Sequence, residues 1–375
     1  MKYTVCVTQA CNLDCDYCYI SKRKSRMSIP VAEKIIDFAF RNTPADEEIN
    51  IGFFGGEPLT EFDLIKRITH LIESHPSFDT RRVQLMTVTN GTLFSDEIAD
   101  YFNTHNISIG ISCDGHPEVQ DVFRKYANGK GSSAVVEKTI KRAVEKFETP
   151  LVNAVYHPDT FRQLPRVVEY FSSLGIRNIY LNPDYSASWS ALDISDIPGV
   201  YAEVADLYLD YYVQGDPHFI SLVDSKIALI LREGYQDNER CRMGKGEFAF
   251  TTEGRVYPCE RLIGSGLGPS HCMGDIDNGF TIKPFTYELS VGENQNPECQ
   301  TCSLSDYCMN TCGCSNFFST GSYRRVNAFQ CESEKAAIST AFAVIQALES
   351  TPEAVFFDHF HGHPAFNSIY KDSRR

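Results

Sequence analysis

The stretch CNLDCDYCY, residues 11–19, decides how the rest of this sequence is interpreted. It places Cys11, Cys15 and Cys18 in the spacing C-x3-C-x2-C, directly after the strand-like run Tyr3–Thr8. A structural zinc ion or a cluster of four irons normally takes four protein ligands. Three thiolates on a four-iron cluster therefore leave one iron open to a small chelating ligand. The stretch predicts either a zinc site or an iron–sulfur centre that binds a further molecule.

Strand-like and helix-like segments alternate through the first half of the sequence. The strand-like runs are Tyr3–Thr8, Ile49–Phe54, Val83–Val88, Ile107–Ser112, Leu151–Tyr156 and Asn178–Leu181. Helix-like segments between them include Pro30–Arg41, Leu64–Ser74, Ala134–Phe147 and Arg162–Leu174. These β-α repeats predict an α/β fold with a partial (β/α)6, TIM-like barrel and right-handed crossovers. In such barrels the chemistry lies at the carboxyl ends of the strands, where the three cysteines follow strand one.

The later part of the sequence differs in character. Short segments, glycine-rich turns and most of the remaining cysteines lie between Asp216 and Cys331, and a helix-like run follows. We therefore predict a barrel over residues 1–215, a small cluster-binding domain over residues 216–334, and a C-terminal helix and tail over residues 335–375.

The composition excludes several classes of protein. A formal net charge of -14 argues against a nucleic-acid partner, which would need a basic face. The sequence contains neither an apolar run long enough to span a membrane nor a signal-peptide pattern, so we expect no membrane partner and a cytoplasmic location. In such a chain, 14 cysteines indicate metal or redox ligands rather than a disulfide framework.

The C-x3-C-x2-C stretch after the first strand resembles the radical S-adenosylmethionine (SAM) superfamily. The resemblance implies that the open iron binds the amino and carboxylate groups of SAM. One electron then cleaves the C–S bond and yields a 5′-deoxyadenosyl radical. By the same resemblance, Tyr17 lies near the adenine.

Three further stretches resemble positions that line the cofactor in that superfamily. In FFGGEP, residues 53–58, Gly55 and Gly56 permit close backbone approach, and Glu57 can accept a hydrogen bond from an ammonium. TNGTL and SCDG end strands three and four, although either alone is also an ordinary turn sequence. Ser112 or Arg124 is expected to meet the carboxylate of SAM. The resemblance implies SAM-binding roles for Tyr17, Gly55, Gly56, Glu57, Pro58, Thr89, Asn90, Ser112, Asp114 and Arg124.

The later cysteines resemble the seven-cysteine signature of the SPASM domain, which carries two auxiliary four-iron clusters. The alternative is that the same thiolates bind zinc ions. The resemblance implies three [4Fe-4S] clusters in total. The first auxiliary cluster takes Cys241, Cys259 and Cys312, and the second takes Cys299, Cys302, Cys308 and Cys331.

The fourth ligand of the first auxiliary cluster is not part of the signature. Some members of the family supply a cysteine shortly after the first one, but here that region reads CRMGKGEF. Cys272 and Cys314 lie in the same domain and are candidate ligands, whereas Cys6 is expected in the core. We favour closure by Cys272, because the turn-rich GPSHCMGD makes such a loop easy to form. The alternative is an open iron that binds a substrate thiolate.

Glu260 directly follows Cys259 in YPCERL. The resemblance to SPASM sulfatase maturases, which have an aspartate at this point, implies that Glu260 is catalytic and accepts a substrate proton. The alternative is an acid that supports its neighbours without a catalytic role.

The resemblance spans about Tyr3 to Glu334 and implies an oxidoreductase that acts on a peptide or protein. Our first interpretation is a maturase that abstracts hydrogen from a ribosomally made precursor peptide and forms a thioether or carbon–carbon cross-link. The second is an anaerobic sulfatase-maturing enzyme that oxidises Ser or Cys to formylglycine. A scaffold for iron–sulfur assembly is a third class, which the intact GGEP turn disfavours. Expected partners are the substrate, an electron donor such as flavodoxin or ferredoxin, and a separate leader-binding protein unless the peptide is recognised directly.

Overall fold

The computed structural model describes residues 1–235, 240–263, 271–281 and 296–349. The C-terminal tail predicted after the last helix lies outside the described residues. The chain divides into two compact units that interleave along the sequence. So far as they are described, the first unit contains residues 1–113, 117–150 and 242–291, and the second contains residues 114–116, 151–241 and 292–375. The domain boundaries predicted from the sequence are a different division of the chain and stay a prediction.

The strands lie close to where the sequence predicts them in the first half of the chain. In chain order they are β1 (Lys2–Thr8), β2 (Ile49–Gly55), β3 (Val83–Thr89), β4 (Ile107–Ser112), β5 (Leu151–Tyr156), β6 (Asn178–Pro183), β7 (Phe219–Ile220), β8 (Glu247–Phe250), β9 (Arg255–Tyr257), β10 (Gly274–Asp275) and β11 (Gly279–Phe280).

The described α-helices follow the strands of the first half and then continue into the later segments. They are α1 (Ile29–Asn42), α2 (Phe62–Glu73), α3 (Asp96–Thr104), α4 (Pro117–Phe123), α5 (Ser133–Lys146), α6 (Leu164–Ser173), α7 (Ala191–Val213), α8 (Ser221–Leu231), α9 (Gly313–Thr320) and α10 (Ala328–Leu348).

The sheet of the first unit has a parallel centre and an antiparallel edge. Its order is β11-β10-β9-β8-β1-β2-β3-β4, in which β8, β1, β2, β3 and β4 pair in parallel. The pairs β8–β9, β9–β10 and β10–β11 are antiparallel. In the second unit, β5, β6 and β7 also pair in parallel. The sequence did not indicate that β8, from the cysteine-rich region, pairs with β1.

Burial explains why these segments adopt their structures. Six of the seven residues of β1 are buried, as in a parallel strand that is covered on both faces. The buried residues of α1 recur at the spacing of one helix face: Ala32, Ile35, Ile36, Ala39 and Phe40. In the second unit, a capping box of Ser190 and Asp193 fixes the start of α7. Among the described residues, no helix has both the length and the apolar character of a membrane span.

Candidate active site

The three opening cysteines lie in the loop that follows β1, which we call the cysteine loop (residues 11–18). All three are half-buried. The segment after α4 holds this loop, because the N–H of Asp14 donates to the carbonyl oxygen of Lys125 at 2.6 Å, and Leu13 forms a bridge with Tyr126. The cysteines therefore lie at the carboxyl end of a central parallel strand, as the sequence predicts.

The arrangement of the thiols differs from that of a single-ion site. Among the described residues, no three His, Cys, Asp or Glu side chains converge on one point that a metal ion could occupy. Sulfur ligands bind zinc at about 2.3 Å and must therefore lie close together. An iron–sulfur cluster distributes its thiolates over several irons, so it tolerates wider spacing. Three half-buried thiols in one loop are a donor set that an iron–sulfur cluster can use.

Two glycines bring the GGEP turn against the chain that leads into the cysteine loop. The N–H of Gly56 donates to the carbonyl oxygen of Thr8 at 3.0 Å, and the N–H of Glu57 donates to that of Ala10 at 2.9 Å. A Cβ atom at Gly56 would lie 2.7 Å from the carbonyl carbon of Ala10, and one at Gly55 would collide with the Thr8 backbone. The two glycines therefore allow the GGEP turn to pack closely against the backbone that leads into the cysteine loop.

The carboxylate of Glu57 is fully buried and joins the turn to the end of β3. It accepts hydrogen bonds from the N–H of Leu59 at 3.0 Å, the hydroxyl of Thr89 at 2.7 Å and the N–H of Asn90 at 2.7 Å. Burial raises the pKa of Glu57 to about 7, although these three donors lower it. Pro58 begins the short 3-10 helix that Glu57 caps. Glu57 thus has a structural role, and its predicted contact with the ammonium of SAM stays a prediction.

Asn90 connects the end of β3 to the cysteine loop. Its side-chain N–H donates to the Cys11 sulfur at 3.8 Å and to the Asn12 side-chain oxygen at 2.9 Å. The Asn90 oxygen accepts from the N–H and the hydroxyl of Thr92, and Asn12 donates to that hydroxyl at 2.7 Å. Sequence reasoning missed Asn12 and Thr92 as supports of the loop, although both lie inside the stretches that it quoted.

Tyr17 and Arg124, which the sequence assigns to the SAM site, lie together in the first unit. The guanidinium carbon of Arg124 is 5.4 Å from the centre of the Tyr17 ring, a cation–π distance. The ring of Phe123 lies 5.7 Å from that of Tyr17. Arg124 is buried. This places an aromatic ring and a cation next to the cysteine loop, which suits a ligand with an adenine and a carboxylate.

Ser112 and Asp114 belong to the SCDG segment at the carboxyl end of β4. Ser112 is the last residue of that strand and is half-buried. Asp114 is assigned to the second unit, where its carboxylate accepts the N–H of Val155 in β5 at 2.9 Å. The side chain of Asp114 therefore supports a neighbouring strand, and its role in SAM binding stays a prediction.

Glu260 begins a short 3-10 helix directly after Cys259 in the first unit. Its Oε2 accepts from the Thr4 hydroxyl at 2.6 Å and from the Lys2 ammonium at 2.9 Å, and Lys2 also donates to Glu247 at 3.0 Å. Burial raises the pKa of Glu260, but the charge of Lys2 and the hydroxyl of Thr4 outweigh it, so the pKa lies below its ordinary value. Glu260 is therefore ionised at neutral pH and only weakly basic.

A cavity in the second unit is lined by five of the predicted cluster cysteines. They are Cys299, Cys302, Cys308, Cys312 and Cys331. Burial raises the pKa of Cys308 to about 12, and the nearby Glu334 carboxylate adds to this. Glu334 accepts from the buried Lys226 ammonium at 2.7 Å and from the N–H of Met309 at 2.6 Å. The four cysteines that the sequence assigns to the second auxiliary cluster thus line one cavity.

The other predicted ligands are divided between the two units. Cys241 belongs to the second unit, and its thiol hydrogen-bonds to that of Cys312. Cys259 and Cys272 belong to the first unit, where Cys259 is buried and Cys272 is half-buried. The Cys272 thiol donates to the carbonyl oxygen of Gly274 at 3.3 Å.

A family model for the radical SAM superfamily matches residues 5–171, the part of the chain that carries the cysteine loop and the GGEP turn. The chain belongs to the radical SAM superfamily. An uncharacterized protein of Methanocaldococcus jannaschii is 31% identical over 280 residues, which cover 74% of this chain and 89% of that protein. Membership of the superfamily implies one [4Fe-4S] cluster and SAM, and the half-buried thiols of the cysteine loop fit that cluster.

Two further relatives have named activities. A cysteine-type anaerobic sulfatase-maturating enzyme of Clostridium novyi is 24% identical over 327 residues, which cover 80% of this chain and 84% of that enzyme. The radical SAM cyclopropyl synthase TigE of Paramaledivibacter caminithermalis is 23% identical over 329 residues, which cover 82% of this chain and 66% of that enzyme.

Solved structures show the fold. The structure of anSMEcpe with bound AdoMet has a TM-score of 0.78 and 20% identity, and the match covers 96% of this chain and 98% of that one. The structure of Streptococcus suis SuiB bound to the precursor peptide SuiA has a TM-score of 0.61 and 15% identity, and the match covers 88% of this chain and 75% of that one. These likenesses confirm the predicted fold class, a mixed α/β fold with parallel strands and helices.

Proposed function

We propose that this chain is a radical SAM maturase that abstracts hydrogen from a ribosomally made precursor peptide and forms a thioether or carbon–carbon cross-link. The observation that carries the proposal is the cavity lined by five cysteines in the second unit, in the same chain as the cysteine loop. A radical SAM enzyme needs only one cluster to cleave SAM, so a second cysteine site indicates further electron transfer. The similarity to TigE and the fold shared with SuiB support a peptide substrate.

Each group of residues has a distinct role in this proposal. Cys11, Cys15 and Cys18 hold the first cluster, which with SAM supplies the radical that abstracts hydrogen from the substrate. Tyr17 and Arg124 contact the adenine and the carboxylate of SAM. The Asn90 side chain orients Cys11, and the GGEP turn fixes the chain that enters the cysteine loop. The two auxiliary clusters use Cys241, Cys259, Cys299, Cys302, Cys308, Cys312 and Cys331.

Glu260 is the proposed proton acceptor. A group that accepts a proton must be ionised before the reaction, and the ammonium of Lys2 keeps this carboxylate ionised at neutral pH. Lys2 and Thr4 also fix the position of the Oε2 atom. Auxiliary clusters held by these cysteines would accept the electron that the substrate gives up, and an electron donor such as flavodoxin or ferredoxin would supply the electron needed to cleave SAM. A separate leader-binding protein presents the peptide unless the chain recognises the peptide directly.

The second candidate function is anaerobic sulfatase maturation, in which Ser or Cys is oxidised to formylglycine. The acid that directly follows Cys259 favours it, as do the similarity to the Clostridium novyi enzyme and the fold shared with anSMEcpe. The two candidates share the radical chemistry and differ in the fate of the substrate radical.

One experiment separates these functions. The anaerobically reconstituted protein is incubated with SAM and reductant, first with a cysteine-containing sulfatase peptide and then with short peptides encoded beside its gene. A cross-linking maturase gives a product that has lost two hydrogens, keeps its sulfur and does not react with a hydrazide. Formylglycine formation replaces the thiol by an aldehyde, which a hydrazide traps. An aldehyde product from the sulfatase peptide alone would reject cross-linking in favour of the second candidate.

A further inference from the structure

The stretch DVFRKYANGKGSSAV, residues 121–135, joins α4 to α5 in the first unit and contacts the cysteine loop on the way. We call residues 123–126 the arm. The N–H of Asp16 donates to the carbonyl oxygen of Phe123 at 3.2 Å, in addition to the bond that Lys125 accepts from the same loop. Two carbonyl groups of the arm therefore hold the backbone of the cysteine loop.

Arg124, in the middle of the arm, is held at both of its backbone groups. Its N–H donates to the carbonyl oxygen of Gln120 at 3.0 Å, which continues the helical pattern of α4. Its carbonyl oxygen accepts from the Ser132 hydroxyl at 2.7 Å, and the side-chain N–H of Gln120 donates to that hydroxyl at 3.0 Å. Gln120 and Ser132 are fully buried. A short chain of hydrogen bonds, shielded from water, thus fixes the backbone of Arg124.

Ser132 stands at the start of α5, where a serine usually has a different task. As an N-cap residue, serine accepts a hydrogen bond from a backbone N–H of the first helical turn. The Ser132 side chain makes no such bond, although α5 begins at the next residue. The hydroxyl of that next residue, Ser133, donates to the Asp121 carboxylate of α4 at 2.6 Å. Of the two serines, Ser132 is the one whose hydroxyl is directed to the arm.

The position of the Arg124 backbone matters because of where its side chain lies. The guanidinium is next to the ring of Tyr17 in the cysteine loop, and the proposed function assigns it to the carboxylate of SAM. A pair between a guanidinium and a carboxylate depends on the alignment of both groups. The Arg124 side chain is buried, so it has little room to compensate for a shift of its backbone.

We propose that Ser132 is a positioning residue for SAM binding, which acts through its hydrogen bond to the Arg124 carbonyl oxygen. The inference rests on the proposed function, because it takes Arg124 as the residue that meets the carboxylate of SAM. Without the Ser132 hydroxyl, the Arg124 carbonyl and the Gln120 amide lose their common partner inside the protein. The arm then shifts to regain hydrogen bonds, and the guanidinium moves with it.

The test measures the dissociation constant of SAM by equilibrium dialysis with the anaerobically reconstituted protein, and KM and kcat for 5′-deoxyadenosine formation. The variants are Ser132→Ala, Arg124→Met and the double variant that combines them. Ser133→Ala is the matched control, because it removes a buried serine hydroxyl from the adjacent position and leaves the bond to the Arg124 carbonyl intact. Iron content and melting temperature are recorded for each protein.

We expect Ser132→Ala to weaken SAM binding on the order of tenfold, the size of one impaired hydrogen bond to a charged group. KM for SAM should rise by a similar factor, with a much smaller change in kcat, as for an interaction that holds SAM equally in the ground state and the transition state. Arg124→Met should weaken binding at least as much. Adding Ser132→Ala to it should have no further effect, because both act through one contact. Ser133→Ala should bind SAM like wild type, and every variant should keep the wild-type iron content.

Four results would overturn the inference. Wild-type affinity in Ser132→Ala, with weakened binding in Arg124→Met, would reject the role of Ser132 and leave the proposed role of Arg124 intact. Equal weakening by Ser133→Ala, or loss of iron in Ser132→Ala, would show a general disturbance of the α4–α5 connection or of the cluster site. An undiminished further loss in the double variant would show that Ser132 acts by another route. Wild-type affinity in Arg124→Met would refute that part of the proposed function, and the inference with it.

Discussion

Replacing Gly56 by alanine tests whether the GGEP turn positions the cysteine loop. The added Cβ would lie 2.7 Å from the carbonyl carbon of Ala10 and 2.8 Å from the carbonyl oxygen of Gln9. The carbonyl oxygen of Ala10 would be closer still, and ordinary contacts of a Cβ begin at 3.4 Å, so the chain that enters the loop must move by at least about 0.7 Å. A displacement near 1 Å at reacting groups costs on the order of 100-fold in rate. We therefore expect SAM cleavage to fall by about two orders of magnitude.

The assay measures 5′-deoxyadenosine formed from SAM by the reduced, anaerobically reconstituted protein. Gly52→Ala is the matched control, because Gly52 lies in β2, the strand that leads into the GGEP turn, and its added Cβ would meet only the Met86 side chain, at 3.7 Å. The control should cleave SAM at the wild-type rate. Melting temperature and iron content show whether Gly56→Ala still folds and binds its clusters. A Gly56→Ala protein that cleaves SAM within about twofold of wild type would refute the argument that this close approach positions the loop.

Three further predictions concern the carboxylates of Glu260 and Glu57. Glu260→Gln should keep SAM cleavage but lose the modified product, because a neutral amide cannot accept the proton; a normal product yield would remove Glu260 from the mechanism. Lys2→Met should raise the pKa of Glu260, because it removes the charge that stabilises the ionised carboxylate. As the pH is lowered, the variant should therefore lose product formation at a higher pH than wild type does, and identical pH profiles would contradict this. Glu57 has its pKa raised to about 7 in the folded protein, so the free energy of unfolding should decrease by about 3 kcal/mol as the pH rises from about 4.5 to above 7. The isosteric Glu57→Gln should lack this decrease, and equal pH dependence of the two melting temperatures would refute the assignment.

The strands of the barrel region could be predicted from the sequence because each one is a short apolar run followed by turn residues. The prediction of Ile107–Ser112 for β4 and Leu151–Tyr156 for β5 agrees with the structure. The pairing of β8 with β1 could not be predicted, because β8 has only four residues and lies more than 230 residues away in sequence. Local patterns carry no information about such a distant partner.

The candidate site was predictable in its cysteines and glycines but not in its supporting contacts. Gly56 was expected to allow close approach, and the structure shows that the approaching group is the backbone at Ala10. The hydrogen bond from Asn90 to Cys11 and the ion pair between Lys2 and Glu260 join segments that are distant in sequence. They depend on how the strands are arranged in the sheet, which local sequence does not specify.

The central claim is that the three thiols of the cysteine loop hold the cluster that cleaves SAM. The most direct measurement compares wild type with the Cys11→Ala, Cys15→Ala, Cys18→Ala triple variant in iron content and in 5′-deoxyadenosine formed under reducing, anaerobic conditions. Wild type should bind about twelve irons and form 5′-deoxyadenosine, whereas the triple variant should bind about eight and form none. A triple variant that cleaves SAM at the wild-type rate would contradict the account.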